Sequence, residues 1–261
     1  MVECNDIRKR ILDLAYNVKS NGSHLGGSLS SVEILSSLYN YANINPLEEN
    51  RDRIILSKGH AALALYVILE KKGLLSQDEV ETFEKNGTYF FAHAKRDVEK
   101  GIEFSGGSLS LGISYAVGVA LSCKSKGVRN RIYVILGDGE CNEGLVWEAI
   151  MSASNYKLDN LTIIVDKNGL QSDGITSNVM ETDSLYDKFN SFGCNTLLIN
   201  GHNLIELNNS LKSVSENQPN VIIAETIKGK GISFMEGQQQ WHHGVLSEVL
   251  YKQAIIELGY E

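Results

Sequence analysis

Short runs of apolar residues recur along this chain, separated by segments with helical periodicity, and this alternation limits its possible folds most strongly. Most runs are apolar at nearly every position, as strands of a parallel sheet covered on both faces must be. The predicted strands are residues 54–56, 132–136, 161–165, 196–199 and 221–225. Because β and α segments alternate, we predict an α/β fold with a three-layer, doubly wound and mainly parallel sheet. Ligands of such sheets bind beyond the carboxyl ends of the strands.

Apolar residues at helical spacing predict the helices that cover this sheet. The helical segments are residues 3–19, 30–41, 61–72, 108–126, 144–157, 184–191 and 203–216. Segment 108–126 is rich in small and apolar residues, which suits a buried helix, and its residues 108–121 suit a buried interface. No Pro- or Ser-rich linker divides the 261 residues, so we predict one domain over residues 1–261.

Charge and cysteine content exclude several classes of function. The chain has 24 basic and 32 acidic residues, a formal net charge of −8, and no block of basic residues. Nucleic acids and anionic membrane surfaces are therefore not predicted as partners. An anionic ligand would need a metal ion, helix N-termini or a few placed cations. The four cysteines form no CxxC motif, the N-terminus is charged, and no apolar run approaches the ~20 residues of a membrane span. These features predict a cytoplasmic protein.

Residues 132–174 carry the most informative pattern, two predicted strands that are each followed by a polar turn. Asp138 directly follows the first strand, and Asn168 follows the second, 30 residues later. Their side-chain oxygens and the nearby Leu170 carbonyl form a set of hard oxygen ligands that suits Mg²⁺ or Ca²⁺. Gly139 would let a diphosphate approach the backbone closely. The alternative is an ordinary βα turn in which Asp138 caps the following helix.

The six histidines form a second pattern, because most of them lie in glycine-rich or small-residue turns rather than within helices. They are His24, His60, His93, His202, His242 and His243. Each one alone could be a structural or surface residue. Several histidines in distant turns are better explained if the turns converge on one polar pocket, which is the arrangement we predict.

The GDG sequence followed about thirty residues later by Asn resembles the motif of thiamine diphosphate-dependent enzymes. The segments EGLVWEA and DKNGLQSDG resemble those of transketolases. The resemblance implies that Asp138, Asn168 and the Leu170 carbonyl hold a metal that bridges the cofactor diphosphate, and that Gly139 contacts this diphosphate. It also implies that Glu143 couples two active sites across a dimer interface. The alternative for Glu143 is a glutamate that the dipole of a helix N-terminus favours.

The same resemblance gives the histidines different roles. It implies hydrogen bonds to the hydroxyl and carbonyl oxygens of a ketose from His24, His93 and His243. It also implies that His60 approaches the diphosphate. Between the paired histidines we choose His243 for the cofactor and sugar, because it directly precedes Gly244 as in the family. The turn that contains His202 resembles a structural turn of the family.

Two further segments resemble cofactor-binding loops of transketolases. The glycine-rich turn before segment 108–126 resembles the loop that meets the aminopyrimidine ring, which implies contacts from Gly107, Ser108 and Leu109. Ser108 stands where the family has proline, and the alternative is that Ser108 simply caps a helix. The TIKGKG sequence resembles the family loop that places a lysine, here Lys228, near the cofactor. The alternative for Lys228 is a solvated side chain.

The resemblance extends over nearly the whole chain and implies the N-terminal, diphosphate-binding subunit of a split transketolase. The pyrimidine-binding and C-terminal domains are then expected on a partner chain, in an α2β2 assembly. Such an enzyme of the pentose phosphate pathway transfers a two-carbon ketol unit between sugar phosphates, using thiamine diphosphate and Mg²⁺ or Ca²⁺. Alternatives are a ketol transferase for sulfosugars or branched sugars, a 1-deoxyxylulose-5-phosphate synthase relative, and a non-catalytic regulatory subunit. The three substrate-facing histidines favour a sugar donor over pyruvate, and the presence of Asp138 and Asn168 disfavours a regulatory subunit.

Overall fold

The central sheet of the computed structural model, which describes residues 2–182 and 184–260, has five parallel strands. In chain order, the strands of the structure are β1 (Arg53–Leu56), β2 (Ile132–Gly137), β3 (Leu161–Lys167), β4 (Leu170–Gln171), β5 (Gly174–Ile175), β6 (Asn195–Asn200) and β7 (Asn220–Glu225). The sheet order is β1-β2-β3-β7-β6, while β4 and β5 form a small antiparallel hairpin. All five predicted strands are confirmed, each extended by one or two residues.

Helices cover both faces of this sheet. In chain order they are α1 (Val2–Asn17), α2 (Leu25–Ser30), α3 (Val32–Tyr41), α4 (Ala62–Lys71), α5 (Gln77–Val80), α6 (Leu111–Ser125), α7 (Gly144–Asn155), α8 (Thr176–Val179), α9 (Leu185–Ser191), α10 (Leu204–Lys212) and α11 (Glu248–Glu257). Helices α6, α7 and α9 contribute to one core, and α1 to α5, α10 and α11 contribute to the other. Across the described ranges, no helix is both long enough and apolar enough to cross a bilayer.

Successive strand residues enter opposite cores, which explains why the strands are apolar on both faces. Ile54 and Leu56 pack with α1 to α4, whereas Ile55 between them packs with α6. Tyr133 and Val134 on β2 are fully buried. Tyr133 belongs to the core that contains α1 to α4, and Val134 belongs to the core that contains α6. Each such aliphatic side chain contributes roughly 1.5–3 kcal/mol on burial. The predicted three-layer, mainly parallel α/β fold is therefore confirmed.

Three predicted helices differ in the structure, and the one predicted over 203–216 already ends at Lys212 as α10. The segment predicted as one helix over 30–41 is the end of α2 followed by α3, separated at Ser31, whose hydroxyl donates to the Gly27 carbonyl (2.6 Å). The helix predicted over 108–126 begins only at Leu111, because Ser110 adopts a left-handed conformation with φ of 69°. The buried Glu140 carboxylate holds that turn by accepting the Ser110 N–H (2.8 Å).

The strand register places several polar turns side by side at one edge of the sheet. Gly137, the last residue of β2, pairs with Asp166, and Lys167 at the end of β3 pairs with Glu225. The residues that follow these strands therefore emerge together at the carboxyl edge. The predicted ligands Asp138 and Asn168 both lie at this edge.

Candidate functional site

A cleft of about 350 Å³ lies at the carboxyl edge of the sheet. It is enclosed by turns that follow β1, β2, β3 and β7 and by four further segments, which carry His24, His93, Gly107 with Leu109, and His242. Among the residues that line it are His24, Lys58, His60, His93, Gly107, Leu109, Asp138, Gly139, Glu143, Asn168, Leu170, Lys228 and His242. Most of the residues predicted from the sequence are therefore brought together. Ser108 and His243 do not line this cleft but lie exposed close to it.

Asp138 is buried at the end of β2, with only 4% of its surface exposed. Its Oδ2 accepts the Gly169 N–H (2.7 Å) and the Thr176 hydroxyl (3.2 Å), while Oδ1 accepts the adjacent Gly139 N–H (3.0 Å). Burial raises the pKa of this carboxyl group, and the nearby Asp166 carboxylate adds to the effect. A cation near Oδ1 would favour the ionised form. The turn thus fixes the carboxylate and leaves Oδ1 available to a ligand.

Asn168 and Leu170 complete the predicted set of oxygen ligands. The Asn168 side-chain oxygen accepts the Leu170 N–H (3.1 Å), which closes a tight turn between β3 and β4. The Leu170 carbonyl accepts a hydrogen bond from the Lys228 ammonium (2.9 Å). The structure therefore already directs one positive charge at an oxygen that was predicted to bind a metal.

Lys228 follows β7 and is almost fully buried, with 2% exposure. Its Nζ also lies 3.1 Å from His242 Nδ1. Burial, followed by the nearby ammonium of Lys58, lowers the pKa of Lys228 to about 8, against the attraction of Asp138 and Asp166. The prediction that Lys228 lies near the cofactor site agrees with this position, and a solvated lysine does not.

A second buried lysine, Lys58, was not predicted as a site residue. Its ammonium forms an ion pair with Asp166 and donates to the Gly27 carbonyl (3.1 Å) and the Ser31 hydroxyl (3.0 Å). Although burial alone would raise the pKa of Asp166, Lys58 and the hydroxyl donors around it lower it below its usual value. The pair ties α2 to the carboxyl edge of the sheet beneath the cleft. Lys58 lies within the SKGH sequence, and this position is the only local signal for it as a site residue. Its partner Asp166 lies 108 residues away, so no local pattern predicts the ion pair.

Five of the six histidines converge around His24, as the sequence pattern predicted. Measured from the His24 ring centre, the other ring centres lie at 4.6 Å (His243), 5.3 Å (His93), 5.4 Å (His242) and 5.8 Å (His60). The His24 Nδ1 atom is buried and has no hydrogen-bond partner within the described residues. An unsatisfied buried nitrogen is costly, so this cluster is suited to receive a polar ligand.

The buried histidines remain neutral at physiological pH. Burial, followed by the neighbouring His243 and His242, lowers the pKa of His24 to about 3. Burial and the Lys228 ammonium lower the pKa of His242 to about 4. Burial and Lys58 lower the pKa of His60 well below its usual value. Neutral imidazoles can both donate and accept hydrogen bonds, which suits recognition of hydroxyl groups.

The paired histidines differ in exposure and in backbone conformation. His242 ends a short helical turn and lines the cleft, where its ring lies 5.0 Å from His60. His243 has an extended backbone and is exposed, and its ring rests against His24. Sequence reasoning chose His243 for the cofactor and did not predict His242 as a site residue. The remaining histidine, His202, is held by Glu33 Oε2 (3.0 Å) and the Ile227 N–H (2.8 Å), which agrees with a structural role.

The glycine-rich turn before α6 forms part of the wall of the cleft. Gly107 adopts a φ of 135°, and Gly59 leaves room for it because a Cβ there would lie 2.7 Å from the Gly107 nitrogen. Leu109 is 38% exposed and lines the cleft, while Ser108 makes no helix cap, since α6 begins after Ser110. Glu143 also lines the cleft and is exposed at the N-cap position of α7.

A divalent ion and a diphosphate fit the donors at this edge. Asp138 Oδ1, the Asn168 oxygen and the Leu170 carbonyl are hard oxygen donors, and the Lys228 ammonium already interacts with one of them. A Cβ at Gly139 would lie 2.8 Å from the Gln171 Cβ, so the glycine lets Gln171 pack closely against the turn that holds Asp138. No three His, Cys, Asp or Glu side chains in residues 2–182 and 184–260 form a metal-binding group. An ion here would therefore depend on oxygens that its ligand brings.

Comparison with protein families and curated proteins gives a consistent result. Residues 4–261 match the family described as "Transketolase, thiamine diphosphate binding domain". The chain is 38% identical over 258 residues to one of the subunits of the apulose-4-phosphate transketolase of Phocaeicola vulgatus, covering 97% of this chain and 91% of that protein. It is 39% identical over 265 residues to a 6-deoxy-6-sulfo-D-fructose transketolase subunit of a Clostridium species, covering 99% of this chain and 96% of that protein.

A solved structure shares the fold. The transketolase of Campylobacter jejuni superposes with a TM-score of 0.90 at 29% sequence identity, over all of this chain. The match covers 43% of that longer chain. This chain thus spans about two fifths of the solved transketolase and nearly the full length of the subunits to which it is similar.

Proposed function

The chain belongs to the transketolase family through its thiamine diphosphate binding domain, and we propose that it is the diphosphate-binding, N-terminal subunit of a split transketolase. The proposed reaction transfers a two-carbon ketol unit from a ketose or ketose phosphate to an aldose or aldose phosphate. The observation that carries the proposal is the convergence of four strand ends and four histidines on one cleft, which joins a hard-oxygen set to a cluster of imidazoles, with the ring of His243 resting against His24. None of its four cysteines forms a disulfide in the part of the chain that the structure describes, which is compatible with the reducing cytoplasm predicted from the sequence.

The carboxyl edge of the sheet would hold the diphosphate. Asp138, Asn168 and the Leu170 carbonyl would bind Mg²⁺ or Ca²⁺, and Gly139 would allow the diphosphate to reach the backbone. Lys228 would add a positive charge, which an acidic protein with a net charge of −8 requires at an anion site. Glu143, exposed at the rim, would face its counterpart in a dimer, and Gly107, Ser108 and Leu109 would contact the aminopyrimidine.

The histidines would orient the sugar. Thiamine diphosphate, when bound, supplies the electron sink that makes cleavage of the bond next to a ketose carbonyl feasible. His24, His93 and His243 would donate hydrogen bonds to sugar oxygens on which charge changes, an effect on the order of 10²–10³-fold for a well-placed donor. His60 would contact the diphosphate. Because the ring of His24 is neutral at pH 7 and its Nδ1 has no hydrogen-bond partner among the described residues, it can also accept a hydrogen bond from a hydroxyl group.

The catalytic site would be completed by a second chain. Relatives of matching length are named as subunits, and the solved transketolase contains further sequence beyond the part that this chain matches. Leu109 and Leu111 are 38% and 48% exposed at the mouth of the cleft, which suits a contact with another protein. We propose a C-terminal transketolase subunit with the pyrimidine-binding and C-terminal domains as partner, in an α2β2 assembly.

The sugars that it uses have two candidate classes. The sequence resemblance alone implies sugar phosphates of the pentose phosphate pathway. The relatives that match over nearly their full length are named for apulose 4-phosphate, a branched sugar, and for a sulfosugar. A ketol transferase for branched sugars or sulfosugars is therefore the second candidate function.

Reconstitution tests these proposals. The chain and its partner subunit should bind thiamine diphosphate in the presence of Mg²⁺, measured by calorimetry, and should transfer a ketol unit from at least one donor. The donor panel should include xylulose 5-phosphate, 6-deoxy-6-sulfofructose, apulose 4-phosphate and pyruvate. Turnover of pyruvate alone would favour the 1-deoxyxylulose-5-phosphate synthase type. Absence of cofactor binding with partner and Mg²⁺ would contradict the proposal in favour of a regulatory subunit.

A further inference from the structure

The sequence pairs two histidines, and the structure gives the first of them a specific contact that the proposed reaction has not used. His242 Nδ1 lies 3.1 Å from the Lys228 ammonium, and His242 lines the cleft. An ammonium group can only donate hydrogen bonds, so Nδ1 must be the acceptor. The His242 ring therefore carries its proton on Nε2.

Lys228 has little freedom of its own. Its stem passes Gly26, where a Cβ would lie 2.8 Å from both Lys228 Cγ and the Trp241 carbonyl oxygen. Its ammonium donates to the Leu170 carbonyl (2.9 Å) and to His242. An ammonium has three N–H donors, so these two contacts leave one for a ligand in the cleft.

A metal ion at the predicted site would compete with the Lys228 ammonium for the Leu170 carbonyl oxygen. A divalent ion at the Leu170 oxygen would stand close to the ammonium, and the two positive charges would repel each other. His242 Nδ1 is a neutral nitrogen that makes no contact with the predicted metal ligands among the described hydrogen bonds. Of the two acceptors of Lys228, it is therefore the one that can keep the ammonium in place beside the ion.

We propose that His242 is a positioning residue, whose Nδ1 fixes the Lys228 ammonium so that its free N–H faces the diphosphate of the cofactor. This inference rests on the proposed function. The proposal gives the paired histidines different roles. His242 acts through Lys228, whereas His243 is exposed and its ring lies against that of His24.

Two substitutions separate an action through Lys228 from a direct contact with a ligand. His242→Asn places an acceptor oxygen near the position of Nδ1, and His242→Gln places its amide near the position of Nε2. With partner and Mg²⁺ present, we expect His242→Asn to bind thiamine diphosphate within about threefold of wild type. We expect His242→Gln to bind about tenfold more weakly, the effect of one hydrogen bond from a charged donor. The reverse order would overturn the proposal in favour of a direct contact through Nε2.

A double-mutant cycle tests whether His242 acts through the lysine. Lys228→Met keeps the length of the stem and removes the ammonium, so His242→Gln should cause no further loss of affinity in that background. Inorganic pyrophosphate with Mg²⁺, used as a second probe, should show the same pattern, because the effect concerns the diphosphate alone. Additive losses in the cycle would overturn the proposal. Gln240→Ala, an exposed substitution two residues away, is the matched control and should change neither affinity.

Nitrogen NMR of the full chain gives a readout that needs no cofactor. The His242 Nδ1 signal should be that of an unprotonated, hydrogen-bonded nitrogen, and Lys228→Met should shift it. An unchanged signal would overturn the contact on which the inference rests. If wild type does not bind thiamine diphosphate under any condition, the proposed function fails. If it binds but the Asn and Gln variants behave alike, the positioning role alone fails.

Discussion

The two carboxylate oxygens of Asp138 have different partners. Oδ2 accepts the Gly169 N–H and the Thr176 hydroxyl, whereas Oδ1 accepts the adjacent Gly139 N–H and is the oxygen proposed to bind the metal. In Asp138→Asn, the side-chain oxygen can still accept the Gly169 N–H, while the amide NH2 group replaces the oxygen that is proposed to bind the metal. We expect it to lower thiamine diphosphate affinity at least ~100-fold in the presence of Mg²⁺, because a cation loses its carboxylate ligand. Its free energy of unfolding should fall by about 1 kcal/mol, because the amide group no longer accepts the Gly139 N–H.

Asp138→Ala should differ from Asp138→Asn in stability, because it leaves the Gly169 N–H without its acceptor. We expect an additional loss of about 1–3 kcal/mol, measured by urea unfolding. Glu148→Gln on the exposed part of α7 removes the same charge and should change neither property. Wild-type cofactor affinity in both Asp138 variants would contradict the metal assignment.

His24 should make the protein sensitive to acid. Its pKa is lowered to about 3 by burial and by the neighbouring histidines, whereas an unfolded histidine titrates near pH ~6.5. Between these values the unfolded chain binds more protons than the folded chain, so stability falls as the pH falls from about 6.5 towards 3. His24→Asn should lose less stability than wild type between about pH 7 and pH 5 in urea unfolding. Parallel losses in the two proteins would show that His24 is not buried in its neutral form.

Alanine substitutions at two glycines of α6 distinguish the effect of a steric clash from the effect of helix propensity on stability. A Cβ at Gly112 would lie 2.5 Å from Ser57 Oγ and 2.8 Å from Ser57 Cα, so it would push α6 away from the turn after β1. We expect Gly112→Ala to destabilise the protein by about 1–3 kcal/mol or more, measured by thermal or urea unfolding. Gly118→Ala has no described atom within 4 Å of the new Cβ and should be neutral or stabilising by up to about 1 kcal/mol. Equal effects of the two substitutions would contradict the tight contact at Gly112.

The elements that could be predicted from the sequence are those with a local cause. All five strands follow from apolar runs, and the converging histidines follow from their positions in turns at strand ends. The start of α6 could not be predicted, because a carboxylate from another turn, Glu140, holds Ser110 in its left-handed conformation. The Lys58–Asp166 pair has no local pattern either, since it joins residues 108 positions apart. The choice between His242 and His243 depends on where a short helical turn ends, which periodicity does not reveal.

At the scale of the whole molecule, activity should depend on a second chain. Purified without a partner, the chain should show no measurable ketol transfer in a coupled assay, because the contacts proposed for it lie mainly at the diphosphate end of the cofactor. Much of such catalysis comes from holding the reacting atoms in place. Addition of the partner subunit should restore transfer and give a 2:2 complex by light scattering. Transfer by the chain alone, free of any co-purified protein, would contradict the split arrangement.

The order of strands in the sheet has a consequence for synthesis on the ribosome. Strand β7 lies between β3 and β6, although β6 precedes it in the chain. A nascent chain therefore exposes β6 before its neighbour exists, because every sheet pairing of β6 is with β7. Until β7 emerges and inserts, both β3 and β6 have open edges, which are the kind of surface that pairs with other chains. Pauses in translation between residues 200 and 220 would prolong this interval and increase the demand for chaperones that shield unpaired strands.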